Sequence, residues 1–123
     1  MAMTLLDSNT IIYLSKKLIP VDDVFSDKEN KYAISVITYM EVLGYDFDAK
    51  DEEEFIKEML SYLDVLYIDE SISHKVIEIK RKNKIKLPDA IICATAILNK
   101  ATLVTNDIRL KNISKLKLKI VGI

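Results

Sequence analysis

Four acidic side chains, Asp7, Glu41, Asp89 and Asp107, border or interrupt apolar stretches of this 123-residue chain. Asp7 closes Met3-Thr4-Leu5-Leu6, Glu41 lies between Met40 and Val42, Asp89 opens onto Ala90-Ile91-Ile92-Cys93-Ala94, and Asp107 follows Thr102-Leu103-Val104-Thr105-Asn106. Singly, each has an ordinary structural use, because Asp caps helices, acids suit a first helical turn and Asp closes turns. Gathered on one rim, four carboxylates would repel one another and raise their own pKa values unless a cation stood among them. Donors made only of carboxylate oxygen suit a hard divalent ion, Mg2+ or Mn2+. A His/Cys zinc site is excluded, since His74 and Cys93 are the only residues of their kinds. Two glycines, Gly44 and Gly122, cannot build a phosphate-cradling loop, and no serine sits in a G-x-S-x-G turn.

For the four acids to meet, the elements between them must bring them to one edge. Met3–Leu6, Tyr32–Val36, Asp64–Ile68 and Ala101–Thr105 read as strands, and Leu118–Val121 as a lysine-flanked edge strand. Helical spacing runs over Asn9–Lys17, Ile37–Tyr45, the segment opened by Asp51-Glu52-Glu53-Glu54, and Ser71–Asn83. Leu18–Lys31 reads as a loop or a short helical turn, and Ile108–Ser114 as a turn or short helix. Pro88 is at home in the first turn of a helix over Asp89–Asn99, which is apolar nearly all round and therefore buried. Strands alternating with helices predict an α/β fold of three layers, α/β/α, around a parallel sheet of four to five strands. Ligands of such a sheet bind beyond the carboxyl ends of its strands. Asp7 and Asp107 follow strands there, Asp89 opens the helix leading to the fourth strand, and Glu41 sits one turn into the helix after the second, on a side shared with Ile37, Met40 and Gly44 that is expected to face inward.

Half of the residues are apolar and the net charge is -1, which fits one domain over residues 1–123. That sum hides a division: residues 1–70 carry 16 acids and 6 bases, residues 71–123 carry 3 acids and 12 bases. A basic half can hold a polyanion, and Lys84 and Lys86, just ahead of Asp89, are its candidate contacts to a nucleic-acid backbone. No apolar run reaches the ~20 residues of a membrane helix. No basic segment precedes the first apolar run, so no signal peptide is expected, and a lone thiol makes the cytoplasm the expected compartment.

The strings LLDSN (Leu5–Asn9), ISVITYMEV (Ile34–Val42), LPDAIICATA (Leu87–Ala96) and TLVTND (Thr102–Asp107) resemble those of PIN-domain ribonucleases, most of all the VapC-type toxins of toxin–antitoxin pairs. The likeness runs from the first strand to the last in order and spacing. It implies a single PIN-like domain and a metal-dependent endoribonuclease whose Asp7, Glu41, Asp89 and Asp107 hold Mg2+ or Mn2+, with Asn9 and Thr105 orienting ligands or water. Ser8 stands where threonine is frequent and keeps the hydroxyl, while Leu110-Lys111 replaces an Asp-Phe pair common in the family and removes any further acidic ligand there. The resemblance also implies RNA as substrate, 3'-hydroxyl and 5'-phosphate products, a homodimer, and an antitoxin whose tail covers the site.

Three rival readings compete. A phosphoacceptor receiver domain could use Asp7, Asp69 and Thr105, but it wants a second acid beside the first and gives Glu41 and Asp89 nothing to do. A haloacid-dehalogenase-like phosphatase wants Asp-x-Asp where Asp7-Ser8-Asn9 stands. The third is a PIN-like scaffold that binds RNA or protein without cutting, over which the presence of all four acids favours the nuclease.

Overall fold

The computed structural model describes residues 2–122. Short apolar runs form five strands, β1 (Met3–Leu6), β2 (Lys31–Ser35), β3 (Asp64–Leu66), β4 (Thr102–Thr105) and β5 (Lys117–Ile120), in one sheet of order β3-β2-β1-β4-β5. Every pairing is parallel, so each connection must cross over a face of the sheet. Six helices make those crossings: α1 (Ser8–Ser15), α2 (Val21–Val24), α3 (Val36–Leu43), α4 (Lys50–Ser61), α5 (Glu70–Lys82) and α6 (Leu87–Leu98). A 3-10 turn, Ile108–Asn112, links β4 to β5.

Alternation along the strands divides the core in two. Leu5, Ala33 and Leu103 share one face with Ile72, Val76 and Ile79 of α5 and the buried run Ala90–Ala94 of α6. Leu6, Ile34 and Val104 share the other with Ile11 and Leu14 of α1, Val42 of α3, and Ile56 and Leu60 of α4. Both faces are covered, as the continuous apolar character of the central strands requires. The expected three-layer α/β/α arrangement and parallel sheet are therefore present, with five strands.

Local chemistry sets the ends of the elements. Asp7, Ser35 and Asp69 each cap the following helix, their side-chain oxygens accepting from Thr10, Ile37 and Ile72 amides. Three acids, Asp51, Glu52 and Glu53, fill the first turn of α4, where the helix dipole favours them. Pro88 sits in the first turn of α6. The third strand stops at Leu66 rather than Ile68, because its pairing with β2 ends where Ser35 turns into α3. On α3 the buried side chains are Thr38 and Val42, while Met40 and Glu41 are exposed. The inward side expected through Ile37 and Glu41 is thus rotated, since an eight-residue helix with apolar residues on every side carries little periodic signal. Among the described residues no helix is long and apolar enough to cross a membrane.

Candidate functional site

The connections from β1 and β4, which lie side by side, depart in opposite directions, β1 toward β2 and β4 toward β5. Such a switch point opens a crevice beyond the strand ends. Asp7 stands in it as the residue between β1 and α1. Its amide donates to the Val104 carbonyl at 3.3 Å, its Oδ1 accepts from the Thr10 amide at 2.9 Å, and its Oδ2 accepts from the Thr105 hydroxyl at 2.5 Å. The Thr105 Oγ1 in turn accepts from the Asp107 amide at 3.1 Å, so one hydroxyl ties the β1 acid to the backbone of the β4 acid. Thr10 Oγ1 donates to the Val104 carbonyl at 3.2 Å and completes the seam. Burial pushes the Asp7 carboxyl above the ordinary 3.8, against the hydrogen bonds from Thr10 and Thr105 that lower it.

The other three acids reach the same region from separate elements. Ser8 Oγ donates to Glu41 Oε1 at 2.5 Å and lies 3.2 Å from Thr38 Oγ1, joining α1 to α3. Asp89, third residue of α6, is half-buried, and its carboxyl is raised above 3.8, first by burial and then by the charges of Asp107, Asp7 and Glu41. Asp107 behaves oppositely: the Arg109 guanidinium holds its carboxyl below the usual range. Arg109 Nε donates to Oδ1 at 2.9 Å and Nη2 to Oδ2 at 2.8 Å, a two-point fork, while the Arg109 amide caps Oδ1 at 3.0 Å. Below Asp89 on α6, burial and the nearby Asp89, Asp7 and Asp107 push the Cys93 thiol up to about 12. An all-carboxylate donor set suits Mg2+ or Mn2+. As the side chains stand, no three His, Cys, Asp or Glu among the described residues draw close enough to grip an ion together.

A family model described as PIN domain matches residues 4–116, nearly the whole chain. The chain belongs to the PIN-domain family. This PIN domain is similar in structure to VapBC2 from Rickettsia felis bound to a DNA fragment from their promoter, at 25% identity and a TM-score of 0.81, covering 98% of this chain and 99% of that one. It is similar to a toxin–antitoxin complex from Klebsiella pneumoniae at 29% identity and a TM-score of 0.73, covering 92% and 94%. DNA-bound VapBC from Salmonella typhimurium shares its fold at 21% identity and a TM-score of 0.81, covering 98% of each chain. No curated protein matches the chain.

Within the PIN domain the remaining site candidates divide. Ser8 and Thr105 bond directly to acids of the set. Asn9 is exposed on the first turn of α1 and makes no side-chain hydrogen bond among the described residues. Lys84 and Lys86 are exposed in the link from α5 to α6, with Lys86 immediately ahead of the helix that carries Asp89. His74 is exposed on α5 beside Glu70, 3.5 Å away. The receiver reading fails on family and on topology: Asp69 follows the edge strand β3, separated from β1 by β2, and caps α5 through the Ile72 amide at 2.8 Å. Sequence reasoning missed Thr10, Thr38 and Arg109. Thr10 stood three residues beyond a helix-capping Asp, and Asp107-Ile108-Arg109 placed a cation beside an acid, which were the signals available.

Proposed function

We propose that this PIN domain is a Mg2+- or Mn2+-dependent endoribonuclease of the VapC type, the toxin of a toxin–antitoxin pair, with Asp7, Glu41, Asp89 and Asp107 as the ion's ligands. One observation carries the reading: the Thr105 hydroxyl ties the Asp7 carboxylate to the Asp107 backbone while Ser8, next to Asp7, holds Glu41, so acids of separate elements border one crevice, and their charges push the Asp89 carboxyl up. Such crowding of like charges is what a divalent cation relieves. A bound ion would supply a water of lowered pKa and would neutralise charge developing on a phosphate. The chain's own side chains hold the donors in place: Thr10 and Thr105 fix both oxygens of Asp7, and Ser8 fixes Glu41. No histidine is needed as base. Family membership and similarity to VapBC complexes support a toxin role and an antitoxin as partner, and the proposed assembly is a homodimer. The proposed compartment is the cytoplasm, where such an RNA substrate is found.

Cleavage of a labelled mixed RNA pool by the purified chain with Mn2+, with Mg2+ and with EDTA tests this. Cutting is expected with either ion and none with EDTA. Asp7→Asn and Asp89→Asn should each lower the rate by more than about 100-fold with the circular dichroism spectrum unchanged, while Glu78→Gln, on the exposed side of α5, should cut at the parent rate. An Asp89→Asn variant as fast as the parent would remove the site assignment. A second reading, a PIN domain that binds without cutting, is favoured by the Arg109 fork on Asp107 and by the open spacing of the acids. RNA binding without metal-dependent cleavage would select it.

A further inference from the structure

Of the four acids, Asp107 is the one whose two carboxylate oxygens are both held by a cation of the chain itself. The Arg109 fork closes on them at 2.9 and 2.8 Å from only two residues away. All side-chain hydrogen bonds of Arg109 among the described residues go to Asp107, and the Arg109 side chain is 84% exposed. Opening the fork therefore breaks no buried contact. The turn also survives that opening, because the cap from the Arg109 amide to Asp107 Oδ1, at 3.0 Å, does not involve the guanidinium. The Asp107 amide remains tied to Thr105 as well. The backbone around Asp107 is thus held by contacts that do not involve the guanidinium.

We propose that Arg109 is a built-in competitor for the divalent ion, a latch that occupies the Asp107 carboxylate in the metal-free chain and must be displaced when the ion binds. The proposal rests on the reading of the four acids as metal ligands and adds a residue that the reading does not use. Its strength is bounded by exposure. A solvent-screened pair, even one with a two-point fork, weakens a competing ligand by about three- to tenfold rather than by orders of magnitude. The latch consequently sets the ion concentration at which the centre fills. Lysine in its place would meet Asp107 as a single point charge without the planar fork.

Mn2+ binding to the full chain, measured by titration calorimetry and by the Mn2+-induced rise in Tm, tests the latch in the parent, Arg109→Gln and Arg109→Lys. Arg109→Gln should bind Mn2+ about three- to tenfold more tightly than the parent, with a larger Mn2+-induced rise in Tm, and Arg109→Lys should fall between. If the parent binds Mn2+, Asp89→Asn does not, and Arg109→Gln binds no more tightly than the parent, the latch is overturned and the metal centre stands. If Arg109→Lys equals the parent while Arg109→Gln tightens, charge alone accounts for the effect and the fork is overturned. If neither the parent nor Arg109→Gln binds Mn2+, the metal-centre reading fails and takes the latch with it.

Discussion

Asp89 is the least satisfied of the four acids, with no hydrogen-bond donor on its carboxylate among the described residues and three like charges acting on it. Its pKa in the folded chain lies above the ordinary 3.8. A carboxyl raised by folding favours the native state while protonated, below its unfolded value, and that contribution is lost as pH rises through the raised value. At neutral pH and without metal, the native chain therefore carries an electrostatic penalty at this position. Asp89→Asn should raise the Tm of the metal-free chain at pH 7 by about 1–4 °C, and the gain should shrink as the pH is lowered toward 4. Differential scanning fluorimetry across that range, with EDTA present, reads both effects, and an Asn variant less stable than the parent at pH 7 would refute them. Mn2+ should reverse the order by stabilising the parent alone. The positions of these acids were legible in the sequence because Asp7, Asp89 and Asp107 each adjoin an apolar run. Their internal partners were not. The Arg109 fork depends on the 3-10 turn that folds Arg109 back on Asp107, and the Thr105 hydroxyl finds Asp7 only once β1 and β4 pair.

Among the elements, α4 and α6 show how differently a helix can be held. The residues of α6 from Ala90 to Ala96 are all buried, whereas α4 carries Asp51, Glu54 and Glu58 to solvent and anchors through Ile56 and Leu60. Ile56 is 0% exposed against the Leu6, Ile34 and Val104 face, and Phe55 beside it is 38% exposed. Truncating a sealed aliphatic side chain costs its transfer energy and leaves a cavity, so Ile56→Ala should lower unfolding stability by about 2–5 kcal/mol. Phe55→Ala should cost less than half as much, because much of its ring is already wet. Urea unfolding of both variants measures the difference. The α6 assignment was easy from sequence, since a proline in the first turn and an unbroken apolar run leave one interpretation. The face of α3 was not. Its apolar residues Val36, Ile37, Tyr39, Met40, Val42 and Leu43 surround the helix, and only the packed structure selects Thr38 and Val42 as the inward pair. That rotation leaves Glu41 exposed, held by Ser8 rather than by the core.

Across the whole molecule, charge is as divided as the sequence. Residues 71–123 carry 12 of the 18 bases and only 3 acids, two of which belong to the proposed site. A polyanion approaching that half meets Lys84 and Lys86 in the link that leads directly into α6 and Asp89. Each phosphate neutralised by a lysine releases counterions, with a slope of about 0.7 per contact for single strands. The double variant Lys84→Ala/Lys86→Ala should weaken binding of a labelled single-stranded RNA and reduce the slope of log K against log salt by about 1.4, with the far-ultraviolet spectrum unchanged. An unaltered slope would remove both lysines from the RNA path. A parallel sheet was legible from alternating strands and helices, but its strand order was not. That order follows from the long crossover through α5 and α6, which carries the chain from the edge strand β3 past β2 and β1, and no local pattern reports where such a crossover lands.

The hydrogen bond from Thr105 to Asp7 joins residues 98 positions apart. A polypeptide emerging during translation exposes its first acid early and can complete the constellation only after β4 has been synthesised and has paired with β1. Every prematurely terminated product that lacks β4 also lacks Thr105 and Asp107. If the four acids cut RNA as proposed, the ribosome and message that produce the chain meet no complete site until most of it has been made.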